Sequence, residues 1–181
     1  MKKSIFLAAL VCCAMTTVFC SCNNEEDKLK PEPEDTTPVA AMMDYTMTVG
    51  DDLLNYFDVK VEYYSNDGRL QAEMMTQKEW KKSVKAILPV KLGARLTVEP
   101  KEGVNFDELE QFTVAYGYSY RGYAVTSNDK VVGKVVSGGT NSTMTMKGDK
   151  VSTWQERHAD GIVKFLYSFA ADGQATSTDW E

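Results

Sequence analysis

Between Phe112 and Val125 the chain reads FTVAYGYSYRGYAV. Phe112, Val114, Tyr116, Tyr118 and Tyr120 share one parity, while Thr113, Ala115, Gly117, Ser119 and Arg121 share the other. Successive side chains of a strand point to opposite faces, so this pattern is a β-strand with one large, apolar face and one small or polar face. Tyr123 and Val125 fall on the opposite parity, which predicts a bulge or bend at Gly122. A strand this long and aromatic belongs in the interior of a sheet, and the rest of the chain must supply its neighbours.

Several segments qualify. Tyr45, Met47 and Val49 alternate with Thr46, Thr48 and Gly50, and Phe57, Val59, Val61 and Tyr63 alternate with Asp58, Lys60, Glu62 and Tyr64. Ser65-Asn66-Asp67-Gly68 then predicts a tight hairpin, with Asp-Gly at positive φ and a return strand from Arg69 to Met75. Thr76 and Glu79 have capping-box spacing, and Trp80, Ser83, Val84 and Ile87 follow at helical spacing up to Pro89. This predicts a short helix with Trp80 and Val84 inward and Lys78, Lys81, Lys82 and Lys85 on a solvated face. Val90, Leu92, Ala94, Leu96 and Val98 form a further strand ended by Pro100.

Beyond the central strand, Ser127-Asn128-Asp129 predicts a turn, Val131 to Val136 a short β-rich run, and SGGTNST (137–143) a flexible loop. Met144 and Met146 suggest a small strand. Ser152 to Glu156 predicts a second short helix with a capping box, Trp154 and His158 on one face and Gly161 as its stop. Ile162 to Phe169 is a strand, and the tail from Ala171 a turn and a fraying end. About seven regularly spaced strands with two short helices predict a mainly β fold, an antiparallel β-sandwich of immunoglobulin-like kind. A sheet with both helices on one face is the alternative.

The four cysteines, Cys12, Cys13, Cys20 and Cys22, all lie near the start. The part that folds therefore has neither a disulfide nor a thiolate metal site, and no metal or cofactor is expected. Roughly 140 residues, 42–181, suffice for one domain resting on its hydrophobic core. The chain opens with Met1-Lys2-Lys3, an apolar run from Ile5 to about Cys13, and small residues thereafter, the three parts of a secretory signal peptide over 1–21. That run is too short to span a bilayer, which takes about 20 residues. Net charge is −6, or −8 once Lys2 and Lys3 leave with the leader, which argues against nucleic acid as a partner.

Phe19-Cys20-Ser21-Cys22 resembles the lipobox of bacterial lipoproteins, in which a small residue precedes the cysteine that is acylated. Phe19 departs from the usual leucine. Asn23-Asn24-Glu25-Glu26-Asp27 resembles the acidic export signal of Bacteroidetes-type lipoproteins displayed on the outer face of the outer membrane. The resemblance covers about the first 27 residues. It implies lipidation of Cys22, anchoring in outer-membrane lipid, and exposure to the cell exterior. Several acyl chains would hold firmly where one does not. Residues 22–41, acidic and carrying Pro31, Pro33 and Pro38, would form an extended tether. Asp35-Thr36-Thr37 resembles the O-glycosylation motif of the same bacteria, with the sugar on Thr36.

Chemistry is sparse. Gly117-Tyr118-Ser119-Tyr120-Arg121 begins like the nucleophile elbow but lacks its final glycine and reads as strand. The one histidine, His158, has Asp160 too close in sequence to orient it across a helix turn. No two carboxylates stand in settings that would separate their pKa values. Aromatic residues remain. The tyrosine stripe reads as core with hydroxyls at the rim, while Tyr123, on the flipped parity, and Tyr64, opposite the hairpin's core face, are the candidate ligand-binding residues. Three function classes follow. The first is a non-catalytic surface lipoprotein binding a glycan or protein. Behind it come a structural or assembly component of the cell envelope, and then a hydrolase acting on extracellular polymers.

Overall fold

A computed structural model describes residues 34–180. The leader, Cys22 and the tether as far as residue 33 lie outside the described residues. The chain runs β1 (Ala40–Val49), α1 (Asp51–Tyr56), β2 (Phe57–Tyr64), β3 (Leu70–Met74), β4 (Glu79–Ile87), β5 (Val90–Pro100), β6 (Phe112–Val125), β7 (Val131–Met146), α2 (Val151–Arg157), β8 (Val163–Phe169) and β9 (Ala175–Ser177). All pairings are antiparallel. A front sheet has the order β4-β1-β6-β7 and a back sheet the order β3-β2-β5-β8-β9. The fold is the expected mainly β sandwich with two short α-helices, carrying nine strands instead of about seven and a strand order of its own.

The core follows from alternation. β1 buries Met43, Tyr45, Met47 and Val49, β2 buries Phe57, Val59, Val61 and Tyr63, and β5 buries Leu92, Ala94, Leu96 and Val98. At one end α1 and α2 close the sandwich over an aromatic cluster in which Phe57 stacks on Phe106 at 5.1 Å and meets Trp154 edge-on at 6.3 Å. α1 was not foreseen. It is tied down where the Asp52 carboxylate accepts the Thr113 backbone N–H at 2.7 Å, at the start of β6.

β6 has the predicted limits and lies inside the front sheet, between β1 and β7. Against β1 its register is unbroken, Met43 facing Gly122 and Ala41 facing Ala124. Against β7, Gly122 pairs with Val136 but Ala124 with Val132. The irregularity predicted for Gly122 therefore belongs to its partner, where the extra residues surround Gly133 at φ 73°.

Other expectations need correction. Residues 79–87 are not a helix but β4, an edge strand paired with β1 from Thr48↔Glu79 to Ala40↔Ile87. Trp80, Lys82, Val84 and Ala86 face inward at period two, and the charged Lys82 among them hid that period. Residues 131–146 are not a run, a loop and a small strand but one long edge strand, β7. Its glycines and hydroxyls read as loop, yet pairing with β6 extends them fully. The second helix forms at Val151 to Arg157, but no side chain caps it, and Ser152 and Thr153 lie within it. Burial of Val151 and Trp154 holds it in place. In the first hairpin only Gly68, at φ 72°, takes positive φ. The tail does not fray, because β9 pairs with Tyr167–Phe169 of β8 and Trp180 packs against Tyr64. The folded unit also begins before residue 42: it spans Asp35–Glu181 by its contacts, Ala40 and Ala41 are buried, and Val39 donates to the Val125 carbonyl at 2.9 Å.

Candidate ligand groove

The stripe that begins as core ends as a groove. Phe112 and Val114 are fully buried, whereas Tyr116, Tyr118 and Tyr120 further along the same face are half-buried. The cause lies opposite, in the back sheet. β8 presents Phe165 and Tyr167 toward the front sheet, because they pair with the inward-facing Ala94 and Leu92 of β5. Beyond β8 stands only β9, three residues long, pairing with no part of β8 before Tyr167. The mouth between the sheets therefore stays open there, as a groove of 510 Å³ lined by Tyr118, Tyr120, Phe165, Tyr167 and the tail from Ser177 to Trp180.

The rings form a parallel ladder. Phe165 lies 4.2 Å from Tyr120 and 5.7 Å from Tyr118 between ring centroids, at interplanar angles of 21° and 18°. Tyr118 and Tyr120 are within 7° of parallel. The Tyr120 and Tyr167 hydroxyls meet at 2.7 Å. Burial, and then the hydrogen bond to Tyr167, push the Tyr120 hydroxyl well above its ordinary pKa, so it stays a neutral donor and acceptor. Tyr120 lies across Gly138 of β7, where any Cβ would stand 2.6 Å from its hydroxyl oxygen and 2.8 Å from the ring. Glycine is required there by the ring's approach. The rim is polar: Ser177, Thr178, Asp179 and Lys164, the last ion-paired with Asp160.

The two sequence-predicted binding residues lie elsewhere and apart. Tyr123 is on the outer face of the front sheet opposite Met42, half-buried, with the Arg121 guanidinium 5.2 Å over its ring. Tyr64 is on the outer face of the back sheet, edge-on to Trp180 at 5.5 Å, and Trp180 in turn lies 5.3 Å from the Arg95 guanidinium. Outer faces of opposite sheets cannot share one ligand ring. Tyr64 comes near the groove only through Trp180. Phe165 and Tyr167 were missed, although their alternation with Lys164 and Leu166 held the signal.

At the opposite flank, between β3 and β4, charge fills the mouth. Glu73 accepts Tyr63 Oη at 2.6 Å and Lys82 Nζ at 2.7 Å on one oxygen, and Trp80 Nε1 at 2.7 Å on the other. These donors, Lys82 foremost, hold its carboxyl down at about 2. A second groove of 590 Å³ runs beside this network, lined by residues including Gln71, Ser83 and Lys85. Lys82 and Lys85 are already paired there, with Glu73 and Asp129.

His158 is committed locally, its ring stacked on Trp154 at 5.0 Å and its Nδ1 2.7 Å from the Trp154 carbonyl oxygen. Ser119 is exposed in mid-strand, not on a sharp turn. Thr36 is exposed, beside an Asp35 whose carboxylate accepts the Thr37 N–H at 2.9 Å and Ser127 Oγ at 3.2 Å. Among the described residues no group of three or more His, Cys, Asp or Glu side chains is arranged to hold a metal, and no helix is long and apolar enough to cross a membrane. No known protein family matches the chain, and neither a curated protein nor a solved structure resembles it significantly.

Proposed function

We propose that this chain is a non-catalytic protein, lipid-anchored through Cys22 on the outer face of an outer membrane, that binds an extracellular glycan in the groove between β6 and β8. The observation that carries it is the rigid ring ladder of Tyr118, Phe165 and Tyr120 beside a hydroxyl-bearing rim. A sugar ring offers apolar C–H faces and a belt of hydroxyls, and aromatic side chains fixed beside polar groups complement both. The groove is lined by one carboxylate, Asp179, where glycoside hydrolysis commonly uses two, which favours binding over cleavage. A structural role in the cell envelope is the second reading, favoured by the unpaired edge of β7.

The test is a polysaccharide pull-down and glycan array with the full chain, alongside Tyr118→Ala, Trp180→Ala and Tyr123→Ala. Binding is expected to be lost in the first two variants and kept in Tyr123→Ala. Absence of binding to any glycan, or loss only in Tyr123→Ala, refutes the assignment. For the anchor, Cys22→Ala is expected to move the protein from the membrane fraction to the medium.

A further inference from the structure

We infer that β7 is a self-association edge, pairing antiparallel with β7 of a second copy across a two-fold axis. The sandwich has four sheet edges, and three are guarded. β3 and β9 are short, at five and three residues, and β4 turns Lys82 inward, all recognised ways of preventing strand addition. β7 has none of these over 136–146, its bulge at Gly133 and its one charge, Lys134, both lying near one end. It is sixteen residues long, contains no proline, and pairs only with β6 among the described residues. Its outward-facing side chains are exposed throughout, and Val131, Val135 and Met144 are exposed apolar groups on it. The short β9 leaves much of its inward face uncovered as well.

Charge and symmetry select a second copy as the occupant. A closed two-fold dimer requires an edge that pairs antiparallel with itself, which two β7 strands provide. β7 carries a single charge, Lys134, well away from its middle. Opposed residues must share a face, so the axis passes through a single residue; pairing centred on Gly139 sets Lys134 level with Met144, and the two lysines then stand about 33 Å apart, beyond the screening length of physiological salt. The smallest side chains lie at the axis, where identical residues meet. Ser137 and Asn141, on the outward face to either side of it, stand opposite each other and offer a cross-strand hydroxyl–amide pair. This association does not depend on the groove's ligand.

Sedimentation velocity on the full chain, in matched detergent if acylated, tests the inference. A dimer of the 20.2 kDa chain is expected. The double variant Ser137→Lys, Asn141→Lys places like charges opposite each other across the axis and should weaken the dimer tenfold or more, with the circular dichroism spectrum unchanged. Independently, Thr140→Cys, diagonal to its mate about 8 Å away, should be joined by a short bismaleimide on intact cells, and Val131→Cys, at the strand end, should not. A chain still monomeric at about 100 µM, where even a weak dimer would show, overturns the inference. So does a dimer indifferent to the lysines, or cross-linking equal at both cysteines. If the lysine variant fails to fold, the cysteine pair decides alone.

Discussion

Glu73 offers a sharp test of how the β3–β4 flank is held. Its two oxygens receive three donors, from Tyr63, Lys82 and Trp80, so ionisation is favoured in the folded chain. The carboxyl is held at about 2 where 4.5 is ordinary, with the Lys82 hydrogen bond the largest cause, then Tyr63, then Trp80. A depressed folded-state value stabilises above the unfolded value, and that stability is lost as pH falls through the interval from 4.5 to about 2. Unscreened, that interval corresponds to about 3 kcal/mol. The Glu73 side chain is 38% exposed, and solvent screening leaves about 1 kcal/mol. Glu73→Gln keeps one acceptor and turns an amide N–H₂ toward a donor, so it should cost about 1 kcal/mol at pH 7, or about 3 °C in Tm. The assay is thermal unfolding by circular dichroism of wild type and variant from pH 7 to pH 2. The two Tm values should converge below pH 4.5. A difference that persists undiminished at pH 2, or none at pH 7, refutes the argument that the ionised carboxylate organises this flank.

Two further outcomes follow from the flanks. Gly138→Ala drives a methyl into Tyr120, whose ring cannot retreat past Phe165; it should cost about 1–3 kcal/mol by urea unfolding and weaken any groove ligand. Unchanged stability would show that the ladder is loose. Lys82→Met removes the inward charge of β4 and should raise the aggregation rate seen by light scattering, and an unchanged rate would remove Lys82 as an edge guard.

What was legible in the chain is what alternation alone determines. β2, β5, β6 and β8 are inner strands whose buried faces carry no charge, so their period is clean and their predicted limits are close. Edge strands obey other constraints. β4 places Lys82 at a core-facing position because the partner Glu73 waits on β3, nine residues earlier but in the other sheet, a pairing that alternation within either strand does not report. β7 is rich in glycine and hydroxyls because Tyr120 needs Gly138 and because neither of its faces is well covered, and the same residues signal loops elsewhere. Tyr118 and Tyr120 were legible as aromatic but not as groove residues. Their half-exposure depends on the length of β9, more than fifty residues downstream, and on Phe165 stacking across from the other sheet.

The two mouths of the sandwich show one problem solved in opposite ways. Wherever two sheets of unequal edge length face each other, the gap between them admits water to the ends of the core. At the β3–β4 flank the gap is filled by a charged network whose donors and acceptors satisfy each other, so what reaches solvent is already paired. At the β7–β9 flank the charges, Asp179 and Lys164, stand at the rim, the lysine already paired with Asp160. The gap is lined by aromatic rings packed against one another, and the Tyr120–Tyr167 hydroxyl pair bridges the sheets. A paired network offers an incoming ligand nothing it has not already bonded. Apolar rings held open to water gain from any partner that covers them, because covering them removes hydrated apolar surface at little entropic cost to side chains already fixed. Ligand binding therefore belongs at the flank where β9 stops short.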